Sequence, residues 1–426
     1  MHDAQRFPPA SLRSLRRDPL GFLQRIRREA GDVASFSLGE ERVLLLSDPA
    51  LVRELLVAHH RDFVKQNVLR TRPIEPDPER GLMMNDDPAA HVRGRRIFQP
   101  AFSTERLREY VGIVAEHAEA LSARWRAGQS LDLAAELRPL TLSILAETAF
   151  ALPLDGHERR VLNRRLGELL APFAFATSPS RDVLGVLHGR RFWRSIGAQR
   201  ELLARMRELV RSRRAGEGMD VASLAAQALD TPDGPAEAQA ALDCLGILLA
   251  GVDTTATALT WALSELARRP DEMERLRDEA LAADGDPERL PRARAVFAET
   301  LRLHPASWFI GRRARRETTV RDLDFAPETV GLVSPYLIHR DERLHREPDA
   351  FTPERWLNGS QDRVGFLPFG AGPRQCLGER LAWLEGALVL AAIARRWRLE
   401  PLGGGPSGHT AGATLAPHPP ARLRVS

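Results

Sequence analysis

Cys376 is the residue whose setting speaks first of chemistry. It lies in Phe369-Gly370-Ala371-Gly372-Pro373-Arg374-Gln375-Cys376-Leu377-Gly378, directly ahead of a strong helical pattern. A cysteine ahead of a helix N-terminus feels the positive end of the helix dipole and free backbone N–H groups, and both favour the thiolate. A thiolate is a nucleophile and a soft metal ligand. Gly372 suits a backbone position with positive φ, and Gly378 lets the helix approach something flat and bulky. The commoner fate of a cysteine is inert packing. Composition argues otherwise here: at the observed Phe, Gly, Arg and Cys frequencies, the six fixed positions of this frame coincide by chance on the order of once in 100 million windows. The only other cysteine, Cys244, sits in a long apolar run and reads as a small core residue. Two cysteines exclude a disulfide framework, a four-cysteine iron–sulfur cluster and a Cys-rich zinc site.

The Cys376 segment resembles the haem-binding loop of the cytochrome P450 family, the haem-thiolate monooxygenases. The resemblance implies that Cys376 is the proximal metal ligand, its thiolate pushing electron density into haem iron and favouring O–O cleavage. It matches Arg374 to a position that pairs with a haem propionate. Phe369 matches the aromatic beside the thiolate, and Gly370 and Gly378 complete the loop that receives the cofactor. No C-x-x-C-H occurs, so the group would be non-covalent haem b.

Three weaker motifs gain meaning from their order along the chain. Glu299-Thr300-Leu301-Arg302 puts Glu299 and Arg302 on one helical face, although chance alone supplies roughly four such E-x-x-R pairs at this composition. Pro353-Glu354-Arg355-Trp356 follows it, so the resemblance makes Glu299, Arg302 and Arg355 a buried structural triad. Trp356 stands where the family more often has Phe. Ala250-Gly251-Val252-Asp253-Thr254-Thr255 lies midway through the longest apolar stretch. A threonine there can bond a carbonyl one turn back and bend the helix. The resemblance adds that small Ala250 and Gly251, with a local bend, leave room for O₂, and that Asp253 and Thr254 are the oxygen-activating acid–alcohol pair. His91 and Arg95 are four residues apart on one face and match the family's H-x-x-x-R, in which both reach a propionate. Arg312 matches a further propionate arginine, with Arg313 a competitor.

These residues need positioning elements. Helical patterns are expected over Leu20–Ala30, Ala50–Ala58, Thr104–Ala127, Leu140–Phe150, Glu201–Arg214, Ala236–Arg268, Asp271–Ala282, Pro291–Leu303 and Leu377–Trp397. Val33–Leu38 and Arg42–Ser47 form a hairpin through Gly39-Glu40-Glu41, and short β-rich pieces fill 305–369 and the C-terminus. The prediction is a mainly α protein with small β-sheets, one cytochrome P450 domain over 1–426, with haem between the long central helix and the Cys-loop helix.

The composition fits a soluble chain: 426 residues, 43% hydrophobic, 28% charged, net charge +4. Arginines interleave with acids, as in Glu272 to Glu279, which favours solvated, salt-bridged faces over a nucleic-acid surface. Arg190 to Arg214 carries Leu202, Leu203, Met206, Leu209 and Val210 at helical spacing and reads as a surface helix with an apolar inner side. Met1 to Pro9 has no signal-peptide run, and the run Ala241–Ala267 carries Asp243, Asp253 and Glu265, which argues for a core helix over a membrane span. No membrane or nucleic-acid partner is expected, and the protein is read as a cytoplasmic monomer.

The expected activity is insertion of one atom of O₂ into a hydrophobic small molecule such as a terpenoid, fatty acid or polyketide. No flavin or iron–sulfur motif accompanies the Cys loop, so NAD(P)H electrons would arrive through a ferredoxin and its reductase, docking near Arg93, Arg96, Arg363 and Arg380. The alternatives are a peroxide-driven haem enzyme and a haem-binding sensor. The substrate pocket implied by the resemblance comprises Met83 and Met84, Leu249 and Ala250, Ala306, Ser307, Trp308 and Phe309, and Ala411 to Thr414.

Overall fold

Helix starts are written into the chain as Asp–Pro steps. Asp18, Asp48 and Asp87 each accept a hydrogen bond from a first-turn N–H, and the proline that follows occupies a position needing no donor. The structure, a computed structural model, describes residues 5–6, 15, 17–38, 41–66, 81–83, 85, 87–175, 189–231, 234–357 and 365–426. In chain order the principal elements are β1 (Gln5–Arg6), α1 (Pro19–Ala30), β2 (Val33–Leu38), β3 (Glu41–Leu46), α2 (Pro49–Arg53, running into a π-helical turn Glu54–Ala58), β4 (Phe63–Gln66), α3 (Pro88–Phe98), α4 (Thr104–Arg124), β5 (Ser130–Asp132), α5 (Leu133–Phe150), α6 (Gly156–Phe175), α7 (Gly189–Ser212), α8 (Val221–Ala228), α9 (Glu237–Ala267), α10 (Pro270–Ala283), α11 (Pro291–Leu303), β6 (Ile310–Ala314), β7 (Thr318–Val320), β8 (Leu323–Phe325), β9 (Val330–Val333), α12 (Pro335–Ile338), α13 (Glu379–Arg396), β10 (Leu399–Pro401), β11 (Gly408–Ala411), β12 (Leu415–His418) and β13 (Arg422–Val425). The architecture is the expected one, helices through the middle and strands toward both ends.

Among the described residues the largest sheet has the order β1-β2-β3-β9-β6-β4. The expected β2–β3 hairpin is present, with its turn residues Gly39 and Glu40 outside the described residues. β6 runs antiparallel to both β9 and β4, and the β4 register sets Lys65 opposite Arg312 and Val64 opposite Arg313.

The main core forms around α9, 31 residues long and so about 46 Å from end to end. It packs against α5, α7, α11 and α13. By length and composition it could cross a bilayer, but Leu259, Trp261, Ala262, Leu263 and Leu266 are buried against protein. Its buried acids are satisfied: Asp243 accepts from Gln239 at 2.9 Å and from the Leu82 N–H, and Glu265 pairs with His304 at 2.9 Å and with Arg269. Cys244 is fully buried, as expected of a packing residue. In α7 the arginine-rich stretch turns Leu202, Met206 and Val210 inward. Glu272 departs from the solvated reading: it is buried and pairs with Arg292 at 2.7 Å. α5 starts at Leu133, after its Asp132 cap and seven residues before the expected Leu140, and carries Pro139 inside. The proline gives the early half the look of a loop, but packing offsets the one lost helical bond.

The Glu299 carboxylate organises the side of the core that faces the Cys loop. It is fully buried at the end of α11. Its Oε1 accepts from Arg302 Nη2 at 2.8 Å, the Thr352 N–H at 2.9 Å and Arg355 Nε at 3.1 Å. Its Oε2 accepts from Arg302 Nε at 2.9 Å and Trp356 Nε1 at 2.8 Å. Trp356, a departure at the sequence level, is thus one of the donors. Arg302 spends its remaining donors on the carbonyls of His339, Pro348 and Ala350. His339 then donates from Nδ1 to the Arg302 carbonyl at 3.1 Å and accepts the Leu367 N–H on Nε2 at 2.7 Å, while His345 Nε2 meets the Gly365 carbonyl at 2.9 Å. Burial keeps His339 neutral, well below the usual histidine range, as that acceptor role requires. The segment that leads into the Cys loop is therefore pinned to α11 through two histidines.

Glu299→Gln strands the charges of Arg302 and Arg355 and is expected to cost about 3–5 kcal/mol in denaturant unfolding. Burial alone would raise the Glu299 pKa, but the hydrogen bonds and charge of Arg302, with Thr352 and Trp356, hold it below its ordinary 4.5. A carboxyl depressed on folding stabilises above its unfolded pKa, and that stability is lost as pH falls through the folded pKa. The wild type should therefore lose stability as pH drops below about 4.5, and Glu299→Gln should be flatter there. Equal acid slopes in the two proteins would contradict the assignment.

Candidate active site

The Cys loop is held from both sides. The Cys376 N–H donates to the Phe369 carbonyl at 2.9 Å and the Gln375 N–H to the Gly372 carbonyl at 2.9 Å. Gly370 and Gly372 have φ of 72° and 71°, the left-handed region that glycine enters without strain. A Cβ on Gly372 would lie 2.2 Å from the Leu56 carbonyl oxygen, so the loop turns tightly over the π-helical turn that follows α2. Phe369 packs 5.7 Å from Trp383 of α13, ring to ring. Gly378 caps α13, and its N–H reaches the Cys376 sulfur. The expectation of a helix-stabilised thiolate is corrected here. The Cys376 side chain is accessible, yet burial in the loop pushes its thiol up to about 11, with the Gly378 N–H opposing, Glu379 adding and Arg95 opposing. α13 begins only at Glu379, so one N–H reaches the sulfur and desolvation wins.

Beside the loop, cations converge. His91 is buried on α3, and Arg95 one turn on donates to the Gln375 carbonyl at 2.5 Å. Arg374 donates to the Asn85 carbonyl at 2.6 Å. Arg312 is buried on β6, burial and Arg374 bringing it down to about 10. Arg313 faces the other way, to Glu41 and to Glu328 at 2.8 Å, so strand alternation decides between the two arginines for Arg312. Burial lowers His91 to about 4, with Arg374, Arg95, Lys65 and Arg312 all pushing in the same direction. Lys65 was not anticipated by the motifs, although it is the chain's only lysine. Burial, Arg312 and Arg374 lower it to about 8.

A lone soft sulfur beside a group of cations calls for a metal-bearing ligand with anionic substituents. Among the described residues no three His, Cys, Asp or Glu cluster as a metal site of their own.

On α9, Thr254 donates to the Ala250 carbonyl at 2.6 Å. Asp253 pairs with Arg138 of α5 at 3.1 Å and accepts from Thr414 at 3.3 Å. Thr141 of α5 donates to the Val252 carbonyl at 3.0 Å. One expectation is corrected. Gly251 faces α5, where a Cβ would lie 2.6 Å from Leu145. Gly251 is small because two helices cross there, which leaves Ala250 alone for the expected clearance.

The expected pocket residues divide. Met83 is exposed and faces Gly246 on α9, and Leu249 is half-buried against the main core. Ser307 is exposed and Phe309 half-buried. Trp308 is not a lining residue: it is buried in a second core with Leu20, Phe22 and Leu45, its indole donating to the Gly412 carbonyl at 3.1 Å. In the β11–β12 hairpin Ala411 and Thr414 are buried, and Thr414 also accepts from Thr257 at 3.2 Å. Met84 lies outside the described residues, as does Arg363. Arg93 and Arg96 are exposed, and Arg380 donates to Thr104 at 2.8 Å. A separate surface groove of about 400 Å³, bounded by Arg269, Glu272, Phe351 and Glu354, contains none of these residues.

The two positive-φ glycines make a graded test. Gly370→Ala, with its nearest neighbour 3.8 Å away, should cost about 1–2 kcal/mol of backbone strain. Gly372→Ala adds the clash with Leu56 and should lower the thermal midpoint clearly further. Equal effects on unfolding would refute this account of the loop.

The cytochrome P450 family model matches residues 11–424. Cyclooctatin synthase of Streptomyces melanosporofaciens is 33% identical over 404 residues, spanning 91% of this chain and 87% of that protein. Cyclooctat-9-en-7-ol 5-monooxygenase of the same organism is 31% identical over 413 residues, spanning 92% and 87%. The crystal structure of CYP175A1 from Thermus thermophillus superposes with a TM-score of 0.78 at 28% identity over 99% of both chains. Retinoic acid-bound cyanobacterial CYP120A1 gives 0.83 at 20% identity over 96% and 95%, a likeness of fold. With the Cys loop, the Glu299 network and a family match along nearly its whole length, the chain belongs to the cytochrome P450 family.

Proposed function

The chain is a cytochrome P450 monooxygenase, and we propose that it oxidises a hydrophobic, terpenoid-like small molecule with electrons from a separate ferredoxin and reductase fed by NAD(P)H. The observation that carries the site assignment is the fixed Cys376 sulfur beside a group of cations. Cys376 would ligate the iron, and His91, Arg95, Arg312 and Arg374 would hold the propionates, with Phe369, Gly370 and Gly378 framing the sulfur. When bound, haem supplies reductive activation of O₂, one atom going to substrate and the other to water. The chain's own residues manage protons. Asp253, which pairs with Arg138 and accepts from Thr414, would relay protons from solvent. Thr254 Oγ1, oriented by its bond to Ala250, is the last protein atom on that path.

The substrate class is supported by the relatives, one of which is named for acting at position 5 of an alkenol, and by the apolar character of the half-buried Leu249 and Phe309. Such pockets favour hydrocarbon ligands with few polar anchors. A fatty acyl chain or polyketide satisfies the same surface. The enzyme is read as a cytoplasmic monomer of one domain, its buried α9 belonging to the core. Exposed Arg93 and Arg96 would receive an acidic redox partner.

A reduced-CO difference spectrum tests the ligand assignment: the wild type should give the thiolate signature and Cys376→Ala should not. Thr254→Ala should keep haem while hydrogen peroxide rises and product falls. Asp253→Asn should slow product formation by about 10²–10⁴-fold. Unchanged coupling in Thr254→Ala would remove the threonine from the proton path. Absence of spin-state change with every apolar compound, against tight binding of a polar metabolite, would overturn the substrate class.

A further inference from the structure

Asp253, Thr257, Trp261 and Glu265 recur every fourth residue of α9 and so share one stripe of the helix. Each meets the β11–β12 hairpin or the group that anchors it. Thr414 donates to Asp253 and accepts from Thr257, and the Leu415 carbonyl accepts from the Trp261 indole. At the Glu265 end lies a buried polar chain. His304 Nε2 meets Glu265 Oε1 at 2.9 Å, and His304 Nδ1 meets Nε2 of His409, in β11, at 3.0 Å. Trp261 covers this chain, stacked on His304 at 3.8 Å and tilted over His409 at 4.9 Å. Burial alone would raise the Glu265 pKa, but the His304 bond and Arg269 hold it below the ordinary carboxylate range. Burial lowers His304 against its bond to Glu265, and burial with His304 lowers His409 to about 3. Both imidazoles are therefore neutral, each with one donor and one acceptor. His304 gives its proton to the carboxylate, so its Nδ1 must accept and His409 must donate. β11 and β12 form a sheet of two strands, which alone is marginal in water. Backbone fastenings such as those at Gly412 and Leu415 recur along any strand, whereas a directional chain ending on a buried carboxylate fits one register.

We propose that His409 is a positioning residue for the monooxygenase: tied to α9 through His304 and Glu265, it locks the register of the β11–β12 hairpin and so keeps Thr414 against Asp253. This rests on the reading of Asp253 as proton relay, and it adds a residue that belongs to none of the motifs.

The test compares the haem-loaded wild type with His409→Phe, His409→Gln, Thr414→Val and the paired variant His409→Phe with Thr414→Val. His409→Phe keeps a ring against Trp261 but leaves His304 Nδ1 without its donor, and His409→Gln returns an N–H. Amide hydrogen exchange over the hairpin should quicken about tenfold in His409→Phe, the loss of one buried hydrogen bond, and stay near wild type in His409→Gln. With β-ionone as probe and electrons from a surrogate ferredoxin and reductase, product formation should fall in His409→Phe and in Thr414→Val. The pair should be no slower than Thr414→Val alone, because both changes act on Asp253 through one contact. Unchanged exchange in His409→Phe would overturn the proposal, as would losses in His409→Gln equal to those in His409→Phe, or additive losses in the pair. If Asp253→Asn slows product formation and His409→Phe does not, the proposal alone falls. If Asp253→Asn changes nothing, the relay reading falls and the proposal with it.

Discussion

A carboxylate with no exposure to water governs the side of the fold that faces the Cys loop. Glu299 survives there ionised only because five N–H groups from four residues converge on it. A charge so placed cannot tolerate a missing partner, so it fixes the end of α11, the turn at Thr352 and the Arg355–Trp356 segment relative to one another. Arg302 extends that rigidity to His339, and His339 to the backbone of Leu367. The cysteine loop inherits its position from an acid that never meets the reacting atoms.

Two regions of opposite charge logic adjoin each other. Around Glu299 one anion is surrounded by donors, a closed arrangement in which each donor of Arg302 is used. Among the described residues, Lys65 and Arg312 stand opposite each other with Arg374 acting on both.

Much of this was legible in the sequence because the decisive residues sit in rigid local frames. The Phe369–Gly378 frame, the Glu299–Arg302 spacing and the His91–Arg95 spacing each place side chains through helix or loop geometry alone. What escaped depended on pairing across long separations. Lys65 acquires its meaning only from the strand register with Arg312, and His339 and His345 only from a fold that brings residues 365–367 beside them. Gly251 was misread for a related reason: a small residue near a site can serve a neighbouring helix just as well, as Trp308 serves a second core. The early start of α5 was hidden by Pro139, whose local penalty is overridden by packing that no short window contains.

The β11–β12 hairpin shares its atoms between two duties. Thr414 touches Asp253 and Thr257, the Leu415 carbonyl receives the Trp261 indole at 2.8 Å, and the Gly412 carbonyl receives that of Trp308. A substitution that reshapes this hairpin for a new substrate also disturbs the acid on α9. Divergence of specificity at Thr414 is therefore constrained by selection on rate, and compensating changes at Arg138 or Thr257 would accompany it. Among the described residues Ser307, Phe309 and Met83 have no hydrogen bond to Asp253, so on the proposed reading of the pocket these are the positions at which a lineage can drift toward new substrates without retuning its proton supply.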